Sequence, residues 1–199
     1  MTNVTFDAET HRYWMEGNEI PSVTKIMQKM KLTPYYSASP DSASLMLRGT
    51  HVHTCTQYYD EGNIHDRSWE PEYQAFLNGW KNFRLAFGGE VIEIEKKISS
   101  NKFRYAGTLD RVFLLDSPTG KELAVVDIKT GSKSSWHSLQ LAAYQIAYEE
   151  EGFNTMRLPV RRLAVYLKPD EFSVEEFKDS ADLIAWKAAV TLYYWKERT

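Results

Sequence analysis

Asp110, Asp127 and Lys129 are the residues whose types and spacing could do chemistry on a phosphodiester. Lys129 follows Asp127 by two positions, so on a strand both side chains point to one face, while Ile128 points to the other and still offers its carbonyl oxygen. The segment from Asp116 to Leu123 (Asp-Ser-Pro-Thr-Gly-Lys-Glu-Leu) carries a strong turn signal, which predicts an antiparallel hairpin. With Ser117–Gly120 as the loop, Asp116 pairs with Lys121, Leu114 with Leu123 and Val112 with Val125, and Asp110 lands opposite Asp127. Opposed side chains have Cβ atoms about 5 Å apart, where two negative charges repel by roughly 3 kcal/mol at an effective dielectric of 20. A bound cation would turn that repulsion into attraction, and removing either carboxylate should leave stability unchanged or raise it. The inference depends on register, because a slip of one residue would send Asp127 to the opposite face. Two aspartates and the Ile128 carbonyl supply part of the oxygen shell that a hard ion such as Mg2+ prefers, and water and phosphate can complete it. The Lys129 ammonium could then hold or deprotonate a water and stabilise charge on the phosphorus.

The elements that must position these groups follow from patterning. Two short alternating segments flank Glu16-Gly17-Asn18-Glu19, predicting a hairpin, and Ser22 is placed to cap a helix over 23–30. Residues 42–59 place Leu45, Val52 and Tyr59 at helical intervals and put His53 on a helix ending near Gly62. Pro71 opens a helix whose Tyr73, Phe76, Leu77, Trp80, Phe83 and Phe87 form a buried stripe ending at Gly88-Gly89. The period then changes, and residues 91–98, 107–115 and 123–128 read as strands. A helix over about 135–151, a strand near 161–168 and a final helix over roughly 173–197 complete the chain. The expected fold class is α/β, a mixed central sheet flanked by helices.

A length of 199 residues with no repeat or linker implies one domain: a hairpin and helices over 1–90, a catalytic sheet and helix over 91–168, and a C-terminal helix over 173–197. With 43% hydrophobic residues there is material for a packed core, and no apolar run approaches the ~18 residues of a membrane helix. The lone cysteine, Cys55, rules out an internal disulfide framework, and the opening Met-Thr-Asn-Val-Thr-Phe lacks signal-peptide character, so a cytoplasmic setting is expected. The net charge of −3 neither supports nor excludes a nucleic-acid partner, because a carboxylate site can sit beside a local basic groove.

An Asp-x-Lys triplet arises by chance in many chains; the ordered set carries more weight. That set is Gly107-Thr108-Leu109-Asp110, Asp127-Ile128-Lys129-Thr130-Gly131 and Gln140-Leu141-Ala142-Ala143-Tyr144. It resembles the PD-(D/E)XK nuclease superfamily, and within it the RecB-like branch that includes many stand-alone phage exonucleases. Arg48-Gly49-Thr50-His51-Val52-His53 is similar to that branch's upstream motif, and the stretch ending Ile20-Pro21-Ser22-Val23-Thr24 to the opening of phage members. Asp110 follows Leu109, so the proline of the superfamily's name is absent, as is usual in this branch.

The resemblance implies a restriction-endonuclease-like core. It implies Asp110, Asp127 and His53 as metal ligands with the Ile128 carbonyl, Lys129 as the catalytic lysine, and Mg2+ or Mn2+ as cofactor. It also implies Gln140 and Tyr144, spaced i, i+4 on one helical face, beside the active site and the DNA backbone. A lone histidine is more often structural or exposed, and His51 cannot share the role of His53, since residues two apart on a helix face nearly opposite ways. Of Glu93 and Glu95, Glu95 is the favoured acidic residue, although an exposed strand face explains both. Lys96, Lys97, Lys102, Arg104, Arg111 and Lys133 could contact phosphates or line solvated loops. Trp136 and His137 could stack on a base, with a core position the commoner fate of such a tryptophan.

The activity expected is a metal-dependent deoxyribonuclease, an exonuclease in phage DNA recombination, repair or degradation. It would act in the host-cell cytoplasm, with DNA and a phage single-strand-annealing or recombination protein as partners and no membrane. Rival readings are a structure-specific endonuclease and a non-catalytic DNA-binding relative, whose mark would be loss of an aspartate or the lysine. A histidine-rich metal hydrolase would need spacing such as H-E-x-x-H, which is absent.

Overall fold

The structure is a computed structural model that describes residues 4–33, 40–63 and 69–198, with the side chains of 40–42 left aside. The first three residues of the N-terminus and the start of the helix expected from Ser42 therefore lie outside the side chains described.

Three short strands, β1 (Val4–Asp7), β2 (Arg12–Met15) and β3 (Asn18–Ile20), form a small antiparallel sheet. The expected hairpin is β2–β3, turning through Glu16 and Gly17 with positive φ. Helix α1 (Val23–Lys29) starts where Ser22 accepts the Lys25 N–H at 3.0 Å, a side-chain cap on an otherwise orphan donor. Helices α2 (Pro40–Asp60) and α3 (Pro71–Phe87) follow.

The main sheet holds β4 (Glu90–Ser100), β5 (Tyr105–Ser117), β6 (Gly120–Lys129), β7 (Val160–Lys168) and β8 (Glu171–Glu176), in that spatial order. The β6–β7 pair is parallel and the other three are antiparallel, so the sheet is mixed. Helix α4 (His137–Glu150) is the crossover that a parallel pair requires, and α5 (Ala181–Lys196) closes the described chain. The strands outrun their apolar cores because polar ends also find partners. Ser99 donates through its backbone and hydroxyl to Glu151, and the Ser100 hydroxyl donates to Glu150.

Strand alternation sorts the core into two layers. Leu123 and Val125 of β6 pack with α1, α4 and α5; Ala124, Val126 and Ile128 pack with α2 and α3. Phe76, Leu77, Trp80 and Phe83 of the predicted α3 stripe all lie in the second layer. Gly79 lets α3 approach the β7–β8 turn: an added Cβ would stand 2.5 Å from the Glu171 carbonyl oxygen and 2.9 Å from that of Lys168.

The expected single final helix over 173–197 is corrected. Residues Glu171–Glu176 form the edge strand β8, and helix begins only at Ala181. The cause is tertiary. Asp170, at φ 60°, turns the chain back along β7, its N–H donating to the Ala75 carbonyl at 2.7 Å while Asn78 and Asn82 bind its side chain and carbonyl. Phe172 and Val174 alternate with polar residues, a pattern that suits this edge.

Candidate functional site

The site forms where the sheet loses its regularity. Leu109 and Val112 pack in the same layer although three residues apart, so face alternation breaks at Asp110-Arg111. The register of β5 with β6 is the expected one, from Ser117↔Gly120 to Arg111↔Val126, and the ladder stops there, one step short of Asp110 and Asp127. Beyond that point Asp110 Oδ2 accepts the Ile128 N–H at 2.6 Å, a carboxylate standing where a strand carbonyl would otherwise serve. On the other neighbour Glu95 has φ 46°, a conformation that non-glycine residues seldom adopt.

These irregularities gather His53, Glu95 and Asp110, whose donor atoms all lie within 4.8 Å of one another. His53 Nδ1 is 3.5 Å from Asp110 Oδ1 and 3.8 Å from Glu95 Oε1, and its Nε2 is 3.1 Å from the Ile128 carbonyl oxygen. Burial opposes charge on His53, but the two carboxylates outweigh it and raise its pKa. Burial likewise works to raise the Asp110 carboxyl, while His53, Lys129 and the Ile128 N–H together hold it below its ordinary value. His51, as expected, faces elsewhere, its ring 4.6 Å from that of Tyr73.

Asp127 is turned toward a second group. Its Oδ2 stands 2.6 Å from Lys129 Nζ, yet this buried oxygen accepts no aligned hydrogen bond. Burial and the neighbouring Asp110 push its carboxyl up to about 6 against the pull of Lys129. Lys129 Nζ donates to Gln140 Oε1 at 2.8 Å, and Gln140 Nε2 donates to the Tyr144 hydroxyl at 2.9 Å. The i, i+4 spacing on α4 thus builds a chain from Tyr144 to Asp127. Gly107 makes room for it, since an added Cβ would lie 2.8 Å from Tyr144 Cε1. The Trp136 ring centroid is 5.3 Å from Lys129 Nζ. His137 is buried, with Nδ1 2.8 Å from the Tyr166 hydroxyl, so no base can stack on it as expected.

His53, Glu95, Asp110, Asp127, Ile128, Lys129, Gln140 and Tyr144 converge on this region, whereas Glu93 pairs with Lys96 at 3.2 Å and Arg104 with Glu16 at 3.8 Å. One expectation fails outright. Arg111 is no phosphate contact: it is fully buried, with Nε 2.7 Å from Asp60 Oδ2 and Nη1 3.1 Å from Glu95 Oε1. The signal was available, because Arg111 shares its strand face with Phe113 and Leu115, which are core. Asp60 was missed altogether, having only helix-surface polarity to mark it. Arg48, within the expected motif, donates to the Thr130 carbonyl at 3.2 Å and ties α2 to the end of β6.

The donor set fits a hard divalent ion: two carboxylates, an imidazole and a backbone carbonyl sit together, and a buried carboxylate oxygen beside them has no aligned hydrogen bond.

The family model described as the PD-(D/E)XK nuclease superfamily matches residues 65–191. Among solved structures, the chain is similar to a "Putative exonuclease" from Eubacterium rectale, with 11% identity, a TM-score of 0.48, and coverage of 89% of this chain and 73% of that one. No curated protein matches.

Proposed function

Because the chain belongs to the PD-(D/E)XK nuclease superfamily, its family model spanning residues 65–191, we propose that it is a divalent-metal-dependent deoxyribonuclease acting as an exonuclease. The observation that carries the reading is the meeting of two groups at the end of β6: the His53–Glu95–Asp110 cluster and the Asp127–Lys129–Gln140 chain. A non-catalytic relative would have no need to keep both.

His53, Asp110, Asp127 and the Ile128 carbonyl would hold Mg2+ or Mn2+, with Glu95 within reach. The ion, when bound, would lower the pKa of an attacking water and offset phosphate charge. Lys129 Nζ is the proton-bearing group nearest Asp127 and can hold a water or a non-bridging phosphate oxygen. Gln140 fixes that ammonium, and Tyr144 fixes Gln140. The indole of Trp136 covers one side of the lysine and limits its access to bulk water.

The RecB-like branch, a phage setting, DNA recombination or repair as the process and the host cytoplasm as the place all rest on the motif around Arg48–His53 and on the opening of the chain. The whole chain acts as one catalytic domain in this reading. Among the described residues no helix is long and apolar enough to cross a membrane.

The test compares end-labelled linear DNA with covalently closed circles over a Mg2+ time course, with chelator as control. Linear DNA should be degraded and closed circles spared. Cleavage of closed circles would favour the endonuclease, and undiminished digestion in excess chelator would overturn the metal-dependent mechanism.

A further inference from the structure

Arg111 uses its whole guanidinium without reaching solvent. Nε donates to Asp60 Oδ2 at 2.7 Å, Nη1 to the Asp110 carbonyl at 2.6 Å and to Glu95 Oε1 at 3.1 Å, and Nη2 to Thr56 Oγ1 at 3.2 Å. Its partners come from three elements: Glu95 from β4, Asp110 from β5, and Thr56 and Asp60 from α2. On α2 the residues His53, Thr56 and Asp60 fall at i, i+3 and i+7, so they form one stripe along the helix. The stripe's first member faces the Asp110 and Glu95 carboxylates and the other two face Arg111. Thr56 also donates to the His53 carbonyl at 2.9 Å. Asp60 is also held by Arg84 Nη1 on Oδ1 at 2.6 Å and by Trp80 Nε1 on the shared Oδ2 at 3.1 Å, which fixes it independently of Arg111.

We propose that Arg111 is the positioning residue of the metal site: through Glu95 on one side and the Thr56–Asp60 stripe on the other, it sets the spacing of Glu95, Asp110 and His53. The proposal rests on the metal-site reading above. Two features separate this role from simple neutralisation of Asp60. The oxygen that Arg111 binds, Glu95 Oε1, is the one that stands 3.8 Å from His53 Nδ1. And Glu95 is held in a left-handed backbone conformation, which a firm side-chain contact must help maintain. A planar fork can grip Asp60 and Glu95 together, whereas a lysine ammonium is a point charge that must choose.

The experiment is isothermal titration of Mn2+ into the metal-free full chain without DNA, for the parent and for Arg111→Lys, Glu95→Gln, Arg111→Lys with Glu95→Gln, Asp110→Asn and Thr56→Val, each checked by thermal melt. Arg111→Lys should weaken Mn2+ binding by about 10-fold to 100-fold, the usual cost of losing a partner that orients a ligand. In the Glu95→Gln background the same change should have less effect, because the charged carboxylate that Arg111 orients toward the metal is gone. Equal weakening in both backgrounds, or parent-like affinity in a folded Arg111→Lys, would overturn the proposal. Should Arg111→Lys fail to fold, Thr56→Val decides: weaker Mn2+ binding supports the clamp and unchanged binding overturns it. A parent that binds no Mn2+, or an Asp110→Asn variant that binds as the parent does, sinks the metal-site reading itself and this proposal with it.

Discussion

Asp127→Asn offers the sharpest test of the electrostatics, because asparagine imitates the uncharged carboxyl. In the folded chain the Asp127 carboxyl is pushed from 3.8 up to about 6, by burial first and by Asp110 second. A raised carboxyl contributes stability that is present below its unfolded value and lost as pH rises through its folded value. At about 1.4 kcal/mol for each tenfold change, the interval between the two values corresponds to about 3 kcal/mol lost above pH 6. Asp127 is only 2% exposed, so solvent screening removes little of this. In chelator at pH 8, Asp127→Asn should therefore be more stable than the parent by about 3 kcal/mol, or roughly 6–12 °C in melting temperature for a chain of this size. Near pH 4 the gap should shrink below about 1 kcal/mol, since the parent's folded carboxyl is then protonated. Mg2+ at about 1,000 times Kd should reverse the order, as ligand at that level adds about 4.1 kcal/mol to whichever form binds it. Paired melts at pH 4 and pH 8, with and without Mg2+, measure all three. A parent as stable as the variant at pH 8 in chelator would refute the argument. Asp110 is not equivalent, although the sequence treats the two alike. Its Oδ2 accepts the buried Ile128 N–H at 2.6 Å, so Asp110→Ala leaves an orphan donor and should cost about 1–3 kcal/mol.

Lys129→Ala should still bind metal and DNA while its single-turnover cleavage rate falls about 10²–10⁴-fold, as for loss of a positioned proton-transfer group; a drop of less than about threefold would remove the assignment. Gly79→Ala should destabilise the chain by about 1–3 kcal/mol in urea titrations, because its Cβ meets two backbone carbonyl oxygens that cannot swing aside; parent-like stability would mean that α3 can shift cheaply. Cys55 is fully buried and its thiol is pushed up to about 12 by that burial, so a disulfide reagent at pH 8 should label it only at the rate of unfolding; prompt labelling would show that α2 detaches from the sheet.

What was legible in the sequence is what local chemistry dictates. The Ser117–Gly120 turn set the register of β5 on β6, and the i, i+4 spacing of Gln140 and Tyr144 set their shared face. The stripe from Tyr73 to Phe87 marked α3, and the side-chain oxygen of Ser22 marked the start of α1. The losses have a common physical origin in partners distant along the chain. Edge strand β8 exists because β7 and α3 receive it, and its own residues read equally well as the first turns of a helix. The same holds for the break at Asp110-Arg111, which depends on β4 and β6 together. Arg111 was misread because a cation next to a candidate site suggests phosphate, whereas its strand face already pointed inward.

The parallel pairing of β6 with β7 also bears on when the site can exist at all. Residues Asp127–Lys129 pair with Ala164–Tyr166, some 37 positions later, so the strand that carries Asp127 and Lys129 stays an open edge until α4 has crossed over. His53 comes from one helical layer and Gln140 from the other, on opposite sides of that strand. Contacts of such sequence separation form late and slowly. The proposed site should therefore assemble in the last folding step, and a chain still being synthesised should lack the proposed cleavage activity until β7 has emerged. Native-state hydrogen exchange would register the same order as slow amides at Val126 and Ile128 that open only with global unfolding.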